Sequence, residues 1–140
     1  MSRYMLKIRI LSTGGDYMEK FYIKGNVPSS KNSKVFTGKF LVNSKTVQKY
    51  LKSYGEQWED EEIISKFKHH VSGKEKPYKL HFFFIRDSKR KFDYINVSQL
   101  PCDLMTKYGW IDDDNCDEII PIFDGYEVNK NDSGLIFYVE

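Results

Sequence analysis

Apolar and polar side chains alternate from Lys7 to Leu11 and again from Tyr17 to Lys24. A period of two puts successive side chains on opposite faces of a strand, so both stretches are expected to be strands. The turn formers Ser12-Thr13-Gly14-Gly15-Asp16 join them. Gly25 to Ser33 has no period and is expected to be a loop carrying Lys31. The period then changes. Val47, Tyr50, Leu51 and Tyr54 follow at helical spacing behind Ser44, which is placed to cap a helix from about Lys45, with Gly55 placed to break it. Ile63, Ile64 and Phe67 predict a second helix from about Glu59 to His70, its start crowded with acidic residues as the helix dipole favours. After a break from Gly73 to Pro77, the run Lys79 to Ile85 is expected to be a central, buried strand, followed by a basic turn from Arg86 to Lys91.

Val97, Leu100, Leu104 and Tyr108 would share one face of a helix between Asn96 and Tyr108, with Gly109 as its stop. Pro101 inside that helix costs about 3 kcal/mol, so the helix is expected to start late or to kink. An acidic turn, Asp112-Asp113-Asp114-Asn115, comes next. Two last strands are expected from about Glu118 to Val128 and from Leu135 to Val139, joined by a turn from Asn129 to Gly134. The mixture predicts an α+β fold: one domain over residues 1–140, a mixed sheet and two to three helices.

Composition narrows the class without naming a function. A chain of 140 residues, 40% hydrophobic and 16% aromatic, has material for one core. The longest strongly apolar run, Phe82-Phe83-Phe84-Ile85, is far too short to span a bilayer. Lys and Arg interrupt the first residues, so no secretory signal is expected. Cys102 and Cys116 form no CxxC pair, which points to a reduced, cytoplasmic protein. Membrane, collagen-like and disulfide-scaffold classes are excluded.

Charge changes the picture more. Formal net charge is +2, but residues 1–70 carry a net +6, residues 71–92 a net +5 and residues 93–140 a net -9. The chain is basic up to Lys91 and acidic from Asp93 onward. Such a division fits a basic surface for a polyanion around an acidic metal pocket, or two halves that pair across the fold.

The acidic group is the first candidate chemistry. Asp93 stands at a strand-to-helix junction, and Asp112, Asp113 and Asp114 follow the helix. The two ends of a dozen-residue helix are about 18 Å apart. The groups converge only if the chain after Gly109 returns along the helix. Clustered carboxylates repel unless a cation neutralises them, and Mg²⁺ suits one or two carboxylates with waters and phosphate oxygens. Such an ion activates water and stabilises charge on phosphate. An EF-hand is excluded, because Phe123 stands where its bidentate Glu belongs. Lys89, Arg90 and Lys91, with Lys31 and Lys34, are candidates for phosphate contact. His69, His70 and His81 lack the spacing of a zinc site, and the cysteines lack a catalytic partner. No Walker motif or Ser-His-Asp grouping is present.

The order of these features resembles the RusA family of Holliday junction resolvases. The matching residues are the loop Pro28-Ser29-Ser30-Lys31-Asn32-Ser33, the basic run Lys89-Arg90-Lys91, the Asp-x-Asp-Asn element as Asp93-Tyr94-Ile95-Asn96, then Gly109, and the pair Asp113-Asp114. The resemblance covers nearly the whole chain and is most specific from Arg90 to Asp114. It implies a RusA-like fold and a homodimeric, Mg²⁺- or Mn²⁺-dependent endonuclease that resolves branched DNA, the four-way junctions, by paired nicks. It also implies a phage or prophage setting in a bacterial cytoplasm. Asp93 and Asp114 would be metal ligands, with Asp113 beside them as ligand or base. Lys31, Lys89, Arg90 and Lys91 would hold DNA.

Two positions depart from the family. Ile95 replaces the second Asp of the motif, and Gln99 replaces a frequent Lys. Asp112, Asp113, Asp117 or a water would have to supply the missing oxygen. Two alternatives stand beside the nuclease: a protein that binds branched DNA without cleaving it, and an interaction module with neither role.

Overall fold

The computed structural model describes residues 9–11, 17–30, 34–36 and 41–140. The expected turn at 12–16 and the residue Lys31 lie outside these, and Lys34 is described in its backbone alone. The elements are β1 (Arg9–Leu11), β2 (Tyr17–Glu19), β3 (Phe21–Lys24), β4 (Lys34–Phe36), β5 (Leu41–Asn43), α1 (Lys45–Tyr54), a 3-10 helix (Gly55–Glu59), α2 (Glu61–Val71), β6 (Tyr78–Arg86), α3 (Tyr94–Lys107), β7 (Ile119–Val128) and β8 (Gly134–Val139).

The main sheet has four strands in the order β3-β8-β6-β7. β8 runs antiparallel to both β3 and β6, and β7 runs parallel to β6, so the sheet is mixed and the fold is α+β. Parallel neighbours need a long crossover, and α3 supplies it. The expected strand from Tyr17 to Lys24 divides at Lys20. Tyr17–Glu19 pairs with β1, whereas Phe21–Lys24 crosses to β8 and buries Phe21 and Ile23 completely in the main core.

The helices form for the reasons their sequences suggest. The Ser44 hydroxyl accepts from the Val47 N–H at 3.4 Å, and Asp60 accepts from Glu62 and Ile63 at the start of α2. α3 starts at Tyr94, earlier than expected, and runs through Pro101 without a break. Burial of Val97, Leu100, Pro101, Cys102, Leu104 and Met105 on the sheet outweighs the one backbone bond the proline removes. Val47, Trp58, Phe67 and Met105 from the helical layer join Leu80, Phe82, Phe84, Leu135 and Phe137 in one core on one face of the sheet.

A buried amide fixes the edge of that sheet. The Gln57 side chain donates to the Lys24 carbonyl at 2.9 Å and accepts from the Lys24 N–H at 2.7 Å, as a neighbouring strand would. It also donates to the Tyr54 carbonyl at 3.0 Å. Gln57 is 3% exposed, so Gln57→Leu strands the Lys24 groups and costs about 1–3 kcal/mol. Urea unfolding of the variant is expected to show that loss; an unchanged midpoint would contradict the pairing.

Candidate functional site

β6 ends at Arg86, and the residues after it lead into α3 across a surface built by three short segments. The half-buried Arg86 guanidinium donates to the Val27 carbonyl at 2.6 Å and lies over the Phe92 ring at 4.6 Å. The Asp87 N–H donates to Asn26 Oδ1 at 3.1 Å. The Ser30 N–H and hydroxyl both donate to the Asn96 carbonyl, at 2.9 and 3.3 Å. The loop from Gly25 to Ser30 is thereby held against the entry of α3. Phe92 and Tyr94 anchor that entry from below, in edge contact with each other and with Tyr126 and stacked on Phe123 respectively. Arg86 is therefore spent on structure. Lys89, Arg90 and Lys91 are exposed, and none is ion-paired among the described residues.

Asp93 stands at the N-cap of α3 and is exposed. Its side chain caps no backbone N–H. Instead Oδ2 accepts from the Asn96 amide at 3.1 Å. Ile95, which occupies the place of the motif's second Asp, is 73% exposed.

The far end of α3 decides where the later carboxylates fall. Gly109 adopts φ +79°, a left-handed conformation suited to glycine, and turns the chain back. Trp110 and Ile111 then plug the core, with the Trp110 indole donating to the Trp58 carbonyl at 2.8 Å. The chain returns along α3, as convergence requires, and brings Asp114 beside Asp103. Burial, then the Asp103 charge, then Asp113 hold the Asp114 carboxyl above its ordinary value. Gln99 donates to Asp103 at 2.9 Å and so orients that carboxylate. Asp113 accepts from the Asp114 N–H at 2.8 Å and from the Asn115 amide at 3.1 Å. Asp112 is engaged elsewhere: Lys76 bridges it at 2.7 Å to Glu118 at 2.6 Å and holds its carboxyl below the ordinary value.

The structure thus brings Asp114 near Asp103, with Asp113 next to Asp114 in the chain. Asp93 stands ten residues up the helix from Asp103, about 15 Å of rise, with Asn96 as its hydrogen-bond partner. Among the described residues no group of three or more His, Cys, Asp or Glu converges as a ready metal cage. Two carboxylates with waters and phosphate oxygens are enough for Mg²⁺. The Asp103–Asp114 pair has that donor chemistry, including a repulsion that a divalent cation relieves. Sequence reasoning gave Asp103 no role; no spacing rule pairs it with Asp114, because the pairing depends on the return of the chain at Trp110.

The remaining candidates are structural. His70 Nε2 accepts from the Val139 N–H at 3.1 Å, which requires a neutral ring, and burial lowers its pKa. His81 lies between Asp124 at 2.8 Å and Glu140 at 2.7 Å, stacked on Tyr138. Burial opposes its charge, yet the two carboxylates carry its pKa above the ordinary value. Burial pushes the Cys102 thiol up to about 12, which removes it as a nucleophile.

No protein-family model and no curated protein matches this chain.

The Asp114 shift has a stability consequence. Its folded pKa is raised, so its ionised form opposes folding at neutral pH, and that cost disappears below the ordinary carboxyl value of 3.8. Asp114→Asn is expected to raise the thermal midpoint at pH 7 and to leave it unchanged near pH 3. A lower midpoint at pH 7 would contradict the crowding.

Proposed function

We propose that the chain is a RusA-like endodeoxyribonuclease that depends on Mg²⁺ or Mn²⁺ and acts on four-way DNA junctions. The observation that carries this reading is the joining of two chemistries along α3. Exposed Lys89, Arg90 and Lys91 precede Asp93 at its entry, and Asp114, with Asp113 next to it in the chain, stands near Asp103 further along the helix. The ordered residues from Arg90 to Asp114 that resemble the family give the crowding its functional sense.

In this reading Lys89, Arg90 and Lys91, with Lys31, position the phosphate backbone by charge. Asp114 and Asp113 hold the cation, and Asp103, oriented by Gln99, supplies a further carboxylate about 12 Å of rise along α3 from Ile95. Asp93 stays at the entry of α3, next to the DNA strand. A bound Mg²⁺ would supply charge stabilisation at the phosphate and a more acidic water. The family's homodimer suits a symmetric junction, since a two-fold axis would present two equal sites.

A second reading is favoured by one observation. Ile95 exposes an apolar side chain where the family has a carboxylate, and a protein that binds branched DNA without cutting it fits that loss.

Nicking of a labelled synthetic four-way junction, with linear duplex as control, separates the two in Mg²⁺, Mn²⁺ and EDTA. The wild type is expected to give paired, metal-dependent nicks. Asp114→Asn is expected to lower the rate about a hundredfold or more while junction binding persists. Equal cleavage by the variant would overturn the ligand assignment. Binding without nicks in either metal would establish the second reading.

A further inference from the structure

α1 is amphipathic in an unusual way. Val47 and Tyr50 are buried and Leu51 and Tyr54 are half-buried, so its apolar face is fully used by the core. Its solvent face carries Lys45, Lys49 and Lys52, all exposed, and the helix holds no acidic residue in its ten positions. Spacings of four and three residues place the three lysines in one stripe, with rises of about 6 Å and about 4.5 Å between them. None is ion-paired among the described residues.

This arrangement opposes the helix. Like charges four residues apart repel, and Lys45 lies at the end where the helix dipole is already positive. α2 shows the ordinary alternative, with Glu61 and Glu62 in its first turn and Lys68 in its last. A polyanion laid along the α1 stripe would turn the repulsion into attraction.

We propose that Lys45, Lys49 and Lys52 form a second contact surface for the phosphate backbone of a nucleic acid, separate from Lys89–Lys91. The inference rests on the endonuclease reading and extends it to a further stretch of the DNA. The fold links the two surfaces through one loop. Gly25 packs so closely on the Tyr54 ring, at the end of α1, that an added Cβ would stand 2.4 Å from it. Asn26, Val27 and Ser30 of the same loop hold the segment from Arg86 to Asn96. The end of α1 and the residues on either side of the basic run therefore contact the same Gly25–Ser30 loop. A membrane surface fits poorly, because an interfacial helix presents bulky apolar side chains beside its lysines, and here those face the core. Thr46 and Ser53, exposed beside the stripe, are ordinary hydrogen-bonding partners of phosphate.

The test is the salt dependence of binding to the labelled four-way junction. Compared with the wild type are a Lys45→Gln, Lys49→Gln, Lys52→Gln triple variant and a control triple, Lys68→Gln, Lys79→Gln, Lys107→Gln, of equal charge. The α1 variant is expected to lose about two to three from the slope of log affinity against log salt and to bind at least about tenfold more weakly at 0.15 M salt. The control is expected to change far less, and the thermal midpoints show that both variants fold. If the wild type binds the junction and the α1 variant keeps its slope, this inference fails and the endonuclease reading stands. Equal losses in both variants also overturn it, since only net charge would matter. If the wild type binds no junction, or binds only phosphatidylserine vesicles, the inference and the reading fail together.

Discussion

The Trp110 indole is the constraint on which the rest of the site depends. A tryptophan buries well only where its N–H finds an acceptor, and here that acceptor is the Trp58 carbonyl at 2.8 Å. The ring packs against Trp58, Phe67 and Phe137 at centroid distances of 5.5–5.7 Å. Because Trp110 follows the left-handed Gly109 directly, its burial commits the chain to turn back at the end of α3. The acidic segment then has no choice but to run beside the helix, and β7 starts where it pairs in parallel with β6. The 3-10 helix that carries Trp58 also carries Gln57, which closes the sheet edge at Lys24. One buried pair of rings thus ties the sheet, the helical layer and the acidic loop into a single arrangement.

Charge is organised along α3 as a consequence. The helix entry is basic because the turn after β6 is basic, and the half-buried Arg86 is held by the Val27 carbonyl and the Phe92 ring. The middle of the helix is acidic because the returning chain adds Asp114 to Asp103. A polyanion held at the entry and running on along α3 would meet carboxylates whose repulsion a cation relieves, which is the physical content of the proposed nuclease. Lys76 keeps Asp112 out of that group by binding it to Glu118. Asp113 is oriented by the Asp114 N–H and the Asn115 amide.

Local signals in the sequence located most elements within two residues. Ser44 caps α1, KLHFFFI is the centre of β6, and the last two strands stand close to their expected bounds. Periodicity failed where tertiary contacts choose between equal local options. Nothing in the alternation from Tyr17 to Lys24 shows that it serves two sheets, because the division at Lys20 is set by the pull of β8 on Phe21 and Ile23. Propensity argued against the start of α3 before Pro101, and burial overrode it. Of the candidate site, the exposure of Asp93 and of the basic run was readable from their place after a buried strand. The Asp103–Asp114 contact was not, since it joins residues across a turn whose direction depends on Trp110.

The claim most central to this account is that Asp103 and Asp114 share a space that favours a divalent cation. Carboxyl carbon NMR of the aspartates, titrated with pH in the absence and presence of Mg²⁺, reads it directly. Asp114 is predicted to titrate above 3.8 in a manner that responds to Asp103→Asn. Mg²⁺ is predicted to move both resonances together and to lower the Asp114 midpoint. An Asp114 that titrates at its ordinary value whatever stands at position 103, or resonances that ignore Mg²⁺, would contradict it.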